Sequence, residues 1–414
     1  MNNDKSINLS IYNFVSDNAC NKSGFVLYNG TVYTPWEKFY GGVAVGKGII
    51  NAVFKGNPPD RFTQNGKMLV DCHQNIISPG FIDLHLHGAK GYDFTIASPE
   101  EIIKATAYHA AVGGTTTMLP TLVSAPLDYI KQSSDKIKKA RQKSSGGPHI
   151  AGIHLEGPFL NPWYKGAHSE KYLRNPEQEL IKDLVAAIGE DLAVITISPE
   201  LPHALEAISY LSRHKIVSAL GHSGATLEEV QKAVNYGLSH AVHTYSAMRR
   251  FHHRSPGALG AVLTIDQISA EIVADGIHTN PAAVKLFFSA KPPEKAILVT
   301  DALAVCGMAD GKCLLGDKTI IKVADRATLE DGTLAGSVIT MNQAIAGAVN
   351  MTSLCLERIL PAATINPAMV LGLGKNKGSL EKGKDADIVV FNADYEVLST
   401  ICRGIPFYTA YNNN

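Results

Sequence analysis

Short apolar segments recur eight times between residues 80 and 301, and stretches with helical periodicity separate them. Each segment is of strand length, and the regular alternation of strand and helix favours a parallel sheet. Eight such units are typical of a (β/α)8 barrel, so the sequence predicts an α/β fold with a TIM-like barrel. The segments are residues 80–87, 115–121, 150–156, 193–198, 216–222, 240–245, 270–275 and 296–301.

Amphipathic stretches between these segments supply the helices of the predicted barrel. Thr226 and Glu229 form a capping-box pattern, which predicts that a helix begins directly after the pair Gly221-His222. A doubly wound sheet is the alternative fold, but it calls for a glycine-rich phosphate-binding turn after an early strand, and the sequence has none. The predicted helices include residues 99–113, 126–143, 226–237 and 281–290.

Both ends of the chain have β character and surround the barrel segments in sequence. We predict that residues 1–77 and 361–414 together form a small β-sandwich domain, while residues 78–360 form the barrel. Glycine-rich and charged residues 306–335 are interpreted as an excursion after the eighth strand. A single helix is predicted from about Ser337 to Leu360.

Charge and cysteine usage narrow the class of protein. The 414-residue chain has a formal net charge of +0, which argues against nucleic acid or an anionic membrane as its main partner. No apolar run approaches the roughly 18 residues of a membrane-spanning helix, and the first residues show no signal-peptide pattern. Six cysteines without a C-x-x-C motif indicate reduced thiols. We therefore expect a cytoplasmic protein.

Polar residues stand at the ends of five predicted strands. In a barrel all strands open their carboxyl ends onto one face, so these side chains should converge there. Any one of them alone could be an ordinary turn or core residue. Imidazole and carboxylate groups together suit zinc, iron or another divalent metal, so the set predicts one shared metal site. The residues are His85, His87, Glu156, His222, His243 and Asp301.

Three further residues follow the predicted strands closely enough to reach the same mouth. They are His168 after the third strand, Arg254 after the sixth and His278 after the seventh. Arg254 belongs to a cationic loop, and a guanidinium group grips phosphate in a bidentate manner. The alternative is a solvated basic loop, but beside a metal site the loop favours an anionic substrate.

These residues carry a resemblance to the amidohydrolase superfamily, and within it to a branch that deacetylates N-acetylated amino-sugar phosphates. The segment PG-x-ID-x-H-x-H and the tail KG-x-DADIVV resemble the superfamily as a whole. More specific are the stretches HLEGPFLN with KGAH, LGHSGAT, HTYSAM with HHRSPGALGA, VADGIH and VTDA, which together with PGFIDLHLHG extend over residues 79–301.

The resemblance implies a ligand set and a reaction. Glu156, His222 and His243 match the main metal ligands, and His85 with His87 matches the ligands of a second ion in members that have one. The implied cofactor is therefore one or two divalent ions, zinc or iron. The implied reaction is hydrolysis of the N-acetyl group of N-acetylglucosamine 6-phosphate by a homodimer.

The resemblance also implies substrate contacts around the predicted mouth. Asp301 matches the catalytic acid and base, His168 matches a catalytic and substrate-binding residue, and Arg254 matches the phosphate-binding arginine. The remaining implied substrate contacts are Ala167, Ser246, Ala247, His278 and Leu334.

One position departs from the pattern of the resembled branch. Ser246 stands where an asparagine is usual, so a phosphate or sugar contact is lost or bridged by water. The galactosamine isomer of the substrate therefore stays open as an alternative. Cyclic amidases and deaminases are less favoured, because they usually place a lysine or a histidine where Glu156 stands. A barrel without catalysis is also disfavoured, because the full ligand set and the acid are present.

Overall fold

The computed structural model describes residues 7–11, 24–63, 68–144 and 146–409. Eight strands, named β1 to β8, lie side by side in chain order, and each pairs with its neighbour in parallel. They are Phe81–Leu86, Thr115–Val123, Ile153–Phe159, Leu192–Ile197, Val217–Leu220, Leu238–Ala241, Ser269–Ile272 and Ala296–Leu298.

The sheet closes on itself just beyond the end of β8. The backbone N–H of Asp301 donates to the carbonyl of His85 at 2.8 Å, and that of His87 donates to the carbonyl of Ala302 at 2.7 Å. Leu86 and Ala302 form a parallel bridge between the first and last strands. This closure confirms the predicted barrel and rules out the doubly wound alternative.

A helix follows every barrel strand, and these helices are named α1 to α8. The predicted capping box is present, since Thr226 accepts from the N–H of Glu229 while Glu229 accepts from the N–H of Thr226. The helices are Pro99–Gly113, Leu127–Lys143, Gln178–Ile188, Ala204–Arg213, Leu227–Asn235, Gly257–Thr264, Pro281–Ala290 and Met341–Thr352.

The barrel strands are buried on both faces, which explains why they appear as nearly continuous apolar runs. Their inward residues, among them Leu84, Leu119 and Val194, fill the barrel interior. Their outward residues, such as Leu155 and Leu220, pack against the helices in a larger apolar cluster. The packed interior leaves the loops at the carboxyl ends of the strands as the place for a site.

The two chain ends meet in one nine-stranded sheet that encloses its own apolar core, and this confirms the predicted β-sandwich. The strand at residues 388–391 pairs antiparallel with the strand at residues 76–79, which joins the two ends. The nine strands are Ile7–Ser10, Phe25–Tyr33, Lys38–Gly46, Ile49–Lys55, Met68–Asp71, Ile76–Pro79, Ile388–Phe391, Val397–Cys402 and Ile405–Thr409.

The excursion after β8 forms a four-stranded antiparallel sheet, called here the lid sheet. Its Leu315 and Ile320 pack with Val123 and Leu303 of the barrel mouth in a separate apolar cluster. The lid sheet is therefore held against the barrel rather than extended into solvent. Its strands are Gly311–Leu315, Lys318–Val323, Arg326–Thr328 and Leu334–Gly336.

The prediction of one helix from Ser337 to Leu360 is wrong. Helix α8 ends at Thr352, and a separate short helix covers Leu356–Ile359. Ser353 adopts a left-handed conformation with φ 58°, and the hydroxyl oxygen of Thr352 accepts a hydrogen bond from the N–H of Leu354. These two features end the helix.

Shorter elements complete the described chain. The helix Ile365–Val370 contacts β1 and β8, and the division into residues 1–77, 78–360 and 361–414 stays a prediction. The other short elements are the helix Asp60–Thr63, the strands Gly88–Ala89, Tyr92–Asp93 and His149–Ile150, and the 3-10 turns Pro162–Tyr164, Glu170–Tyr172, Gly189–Asp191, Pro293–Lys295 and Leu360–Ala363.

The structure also bears on the cysteines and on the search for a membrane-spanning helix. The described cysteines, at positions 72, 306, 313, 355 and 402, are all free thiols, whereas Cys20 lies outside the described residues. Among the helices that the structure describes, every one is too short or too polar to span a bilayer.

Candidate active site

The polar residues at the strand ends converge at the carboxyl face of the barrel, where all of them except the fully buried His85 line one cavity of about 420 Å³. His85 lies in β1 and Glu156 in β3, while His222 and His243 follow the ends of β5 and β6. Asp301 follows β8 at the closure of the barrel. The convergence that the sequence predicted is therefore present in the fold.

Glu156 is the centre of this cluster. Its Oε1 lies 3.1 Å from Nε2 of His222 and 2.9 Å from Nε2 of His243. Its Oε2 lies 3.2 Å from Nε2 of His168 and 3.4 Å from Nε2 of His87. One carboxylate thus faces these four imidazoles and also that of His85, all from distant parts of the chain.

Asp301 forms a second group with His85 of β1 and with His87, which directly follows β1. Its Oδ1 lies 3.2 Å from Nε2 of His87 and 3.7 Å from Nε2 of His85. His85 also faces Glu156, with 3.5 Å between its Nε2 and Oε1. His85 therefore lies between the two carboxylates.

Several residues of this site have a strained backbone. His222, His243, Ala247 and Asp301 all have positive φ values, of 50°, 24°, 49° and 49°. Such conformations cost free energy in residues with a Cβ and are found where the surrounding structure holds a functional geometry. Here they turn the ends of β5, β6 and β8 so that their side chains point into the cavity.

Buried partners hold the imidazoles in place from behind. Nδ1 of His85 lies 3.0 Å from the carboxylate of Glu271, and Nδ1 of His222 donates to the carbonyl of Tyr164 at 2.9 Å. Glu271 is itself fully buried in β7 and also lies 2.9 Å from Nε2 of His240. Fixing one ring nitrogen in this way directs the other toward the cavity.

Sequence reasoning missed Glu271, although a signal for it exists. The residue interrupts the apolar run of residues 270–275, and a carboxylate in the interior of a barrel strand needs a buried partner. His154 lies beside the predicted ligand His85. It is fully buried, and its ring centroid lies 4.5 Å from that of His85, while its Nε2 bonds Thr196.

The imidazoles of the cluster stabilise the ionised form of its two carboxylates. Burial favours the neutral form of Glu156, but the imidazoles of His85 and His168 outweigh this effect and hold its pKa well below the usual range. Burial would likewise raise the pKa of Asp301, but its hydrogen bond with His87 and the nearby imidazoles lower that pKa. Burial lowers the pKa of His222 to about 4, so this ring is neutral at pH 7.

The cluster fits a divalent metal ion. His85, Glu156 and His243 form one group that could hold an ion, and His85, His87 and Asp301 form another. Nε2 of His85 is buried and makes no hydrogen bond within the described part of the chain, although it faces both carboxylates. A neutral imidazole and a carboxylate are the forms in which these groups bind metals.

The predicted substrate-contact residues lie around the same cavity with one exception. Ala167, His168, Ser246, Ala247, His278 and Leu334 all line it. Arg254 does not, because its loop turns outward and its Nη1 contacts the ring of His253 at 2.8 Å on the exposed surface. The loop lacks periodicity, so the sequence could not predict its direction.

Other residues of the cavity had no sequence-based prediction. Ser124 holds Nδ1 of His168 at 3.0 Å, and Trp163 lies at the rim with 92% of its surface exposed. Asp317 and Lys318 reach the cavity from the lid sheet. These four residues stand in loops and in a hairpin whose position only the folded chain defines.

A closed barrel with such a cluster at its carboxyl face has the architecture of a barrel enzyme with a metal site. The chain belongs to the amidohydrolase family, which matches residues 76–405.

Relatives within this family have named activities. The chain is 35% identical over 367 residues to the N-acetylglucosamine-6-phosphate deacetylase of Bacillus subtilis (strain 168), which covers 88% of this chain and 92% of that protein. It is 34% identical over 329 residues to the N-acetylgalactosamine-6-phosphate deacetylase of Escherichia coli O157:H7, with 80% and 87% covered.

A solved structure shows the same likeness in three dimensions. It is an N-acetyl-D-glucosamine-6-phosphate deacetylase variant from Mycobacterium smegmatis in complex with N-acetyl-D-glucosamine-6-phosphate. The two chains superpose with a TM-score of 0.86 at 32% identity, covering 93% of this chain and 99% of that one.

The contact between Glu271 and His85 leads to a testable prediction. Replacing Glu271 by Gln should weaken metal binding or activity about 10- to 100-fold, because the His85 and His240 rings lose their charged partner. The measurement is metal content after dialysis together with the rate of substrate turnover. Glu206→Gln, at an exposed acid of α4, is the matched control. Unchanged metal content and rate in Glu271→Gln would show that this carboxylate does not support the site.

Proposed function

We propose that this chain hydrolyses the N-acetyl group of N-acetyl-D-glucosamine 6-phosphate to give D-glucosamine 6-phosphate and acetate. The observation that carries the proposal is the cluster in which Glu156 faces His222 and His243 beside Asp301. Support also comes from the relatives named for this activity, which are similar over most of the chain.

We assign the metal ligands to a main site and a second site. Glu156, His222 and His243 would hold the main ion, and His85 with His87 would complete a second site if two ions bind. When bound, a divalent ion lowers the pKa of water toward neutrality and polarises the carbonyl group. Zinc or iron suits this mixture of imidazole and carboxylate donors.

Asp301 is assigned as the acid and base. Its carboxylate would accept a proton from the attacking water as the water oxygen bonds to the acetyl carbon. It would then give that proton to the amide nitrogen, so that the C–N bond breaks with the electron pair on nitrogen and the amine leaves. Its lowered pKa supports an ionised form ready to accept the first proton.

His168 is assigned to the acetyl carbonyl. Ser124 holds its Nδ1 at 3.0 Å, which leaves Nε2 facing the cavity beside Glu156. A donor at this place would stabilise the negative charge that develops on the carbonyl oxygen. His278, whose Nδ1 lies 2.7 Å from the carboxylate of Asp275, is assigned to the sugar with Ala167, Ala247 and Leu334.

Ser246 bears on the choice between two sugars. It lines the cavity where the resembled deacetylases carry a longer amide side chain. The galactosamine isomer is therefore the second candidate substrate, and a relative named for that activity supports it.

Assembly and location belong to the same proposal. Arg254 is exposed and lies outside the cavity of its own chain. This position supports a homodimer in which Arg254 reaches the phosphate bound by its partner. The free cysteines support a cytoplasmic location, where thiols stay reduced.

The substrate assignment is tested by acetate release from three compounds by metal-loaded enzyme. These are N-acetylglucosamine 6-phosphate, N-acetylgalactosamine 6-phosphate and unphosphorylated N-acetylglucosamine. We expect the first to have the highest kcat/KM and chelation to abolish its turnover. Highest kcat/KM on the galactosamine isomer would change the substrate, and no acetate from any compound would reject the deacetylase proposal.

The assignment of Asp301 gives a separate prediction. Asp301→Asn should lower kcat by about 100-fold or more, because the amide cannot carry the proton from water to nitrogen. Metal content, measured by elemental analysis, should be retained through Glu156, His222 and His243. Near-normal kcat in a variant with normal metal content would contradict the acid and base role.

A further inference from the structure

The charges that line the cavity are unusual for a site that takes a phosphorylated substrate. Glu156, Asp301 and Asp317 bring carboxylates to the cavity. Lys318 is the one Lys or Arg side chain among the described residues that line it. A phosphate group that enters this cavity therefore meets a single permanent cation from its own chain.

The ammonium group of Lys318 lies outside the salt bridge at the tip of its own hairpin. Asp317, the adjacent acid, is paired instead with Lys171, whose Nζ lies 2.8 Å from Oδ2, and it accepts from Ser169 at 3.2 Å. Within the described chain no residue forms an ion pair or a hydrogen bond with Lys318 Nζ. Lys318 is half-buried at the cavity wall, and its ammonium group is available to an anion that enters the cavity.

The backbone around Lys318 is fixed at the cavity wall. Leu315 and Lys318 pair across a tight hairpin with Gly316 and Asp317 at its tip. Gly316 has φ 57°, and a Cβ at this position would lie 2.9 Å from the side chain of Val123 in β2. The hairpin tip therefore packs closely on the barrel.

Both sides of the hairpin are anchored. Leu315 belongs to the apolar cluster with Val123 and Ala167, while Asp317 joins the tip to Ser169 and to the loop after β3. A lysine on such a support can reach an anion with little loss of backbone freedom. Lys318 also enters from the lid sheet, whereas the proposed metal ligands come from the barrel strands.

We propose that Lys318 binds the phosphate group of the substrate within its own chain and thereby selects phosphorylated over unphosphorylated amino sugars. This role rests on the proposed function. The charge of Lys318 would supply binding energy remote from the acetyl group, which positions the amide for hydrolysis. Lysine binds phosphate as a point charge with up to three donors.

The test compares Lys318→Met with the wild-type enzyme, both metal-loaded. We expect kcat/KM for N-acetylglucosamine 6-phosphate to fall about 10- to 100-fold, mainly through KM, with no comparable fall for N-acetylglucosamine. The dissociation constant of the product glucosamine 6-phosphate, measured by calorimetry, should rise by a similar factor. Lys318→Arg should restore much of the loss, since it keeps the charge.

Lys312→Met is the matched control, because Lys312 lies exposed on the neighbouring strand of the lid sheet. Thermal unfolding of each variant shows whether the fold is intact. Unchanged product affinity in a folded Lys318→Met enzyme would overturn the proposal, and so would equal losses on both sugars.

Arg254→Ala separates this role from the proposed contribution of the neighbouring subunit. If Arg254→Ala removes all preference for the phosphorylated sugar while Lys318→Met removes none, the assignment of Lys318 is wrong. In that result the deacetylase activity of the wild-type enzyme still stands. Absence of acetate release from the wild type would instead reject the proposed function.

Discussion

The hydrogen bonds that close the barrel between β1 and the segment after β8 are the contact on which the site depends. Asp301 donates its N–H to the carbonyl of His85, and His87 donates to the carbonyl of Ala302. These bonds bring the first and last strands of the barrel together although more than 200 residues separate them. Without them Asp301 would not face His85 and His87, and no second carboxylate would join Glu156 among these histidines.

Around this closure the site is built in layers. Glu156 and its imidazoles face the cavity, while Glu271 and the carbonyl of Tyr164 hold the rings of His85 and His222 from behind. The cost of burying these charges is offset because each carboxylate has imidazole partners. The lid sheet then adds Lys318 and Leu334 to the outer part of the cavity. The proposed chemistry belongs to the inner layer, which is Glu156 with its imidazoles. The proposed choice of substrate belongs to the outer layer, which the lid sheet contributes.

The sequence predicted the barrel and the inner layer because both depend on local patterns. Apolar runs with polar residues at one end define strands and a common face, as for Glu156 and Asp301. The direction of the loop that carries Arg254, the break at Ser353 and the entry of Lys318 into the cavity depend on packing between distant segments. Periodicity contains no information about such contacts. Glu271 could have been found, because an acid within an apolar strand is costly unless it is paired.

The central claim is that the carboxylate of Glu156 and the rings facing it hold a metal ion. Its most direct test is the metal content of purified wild-type protein and of Glu156→Gln, measured by elemental analysis after the same dialysis. We predict one or two bound zinc or iron ions per wild-type chain, a large loss in Glu156→Gln, and none in the exposed control Glu206→Gln. Equal metal content in Glu156→Gln and wild type, with both proteins folded, would contradict the account.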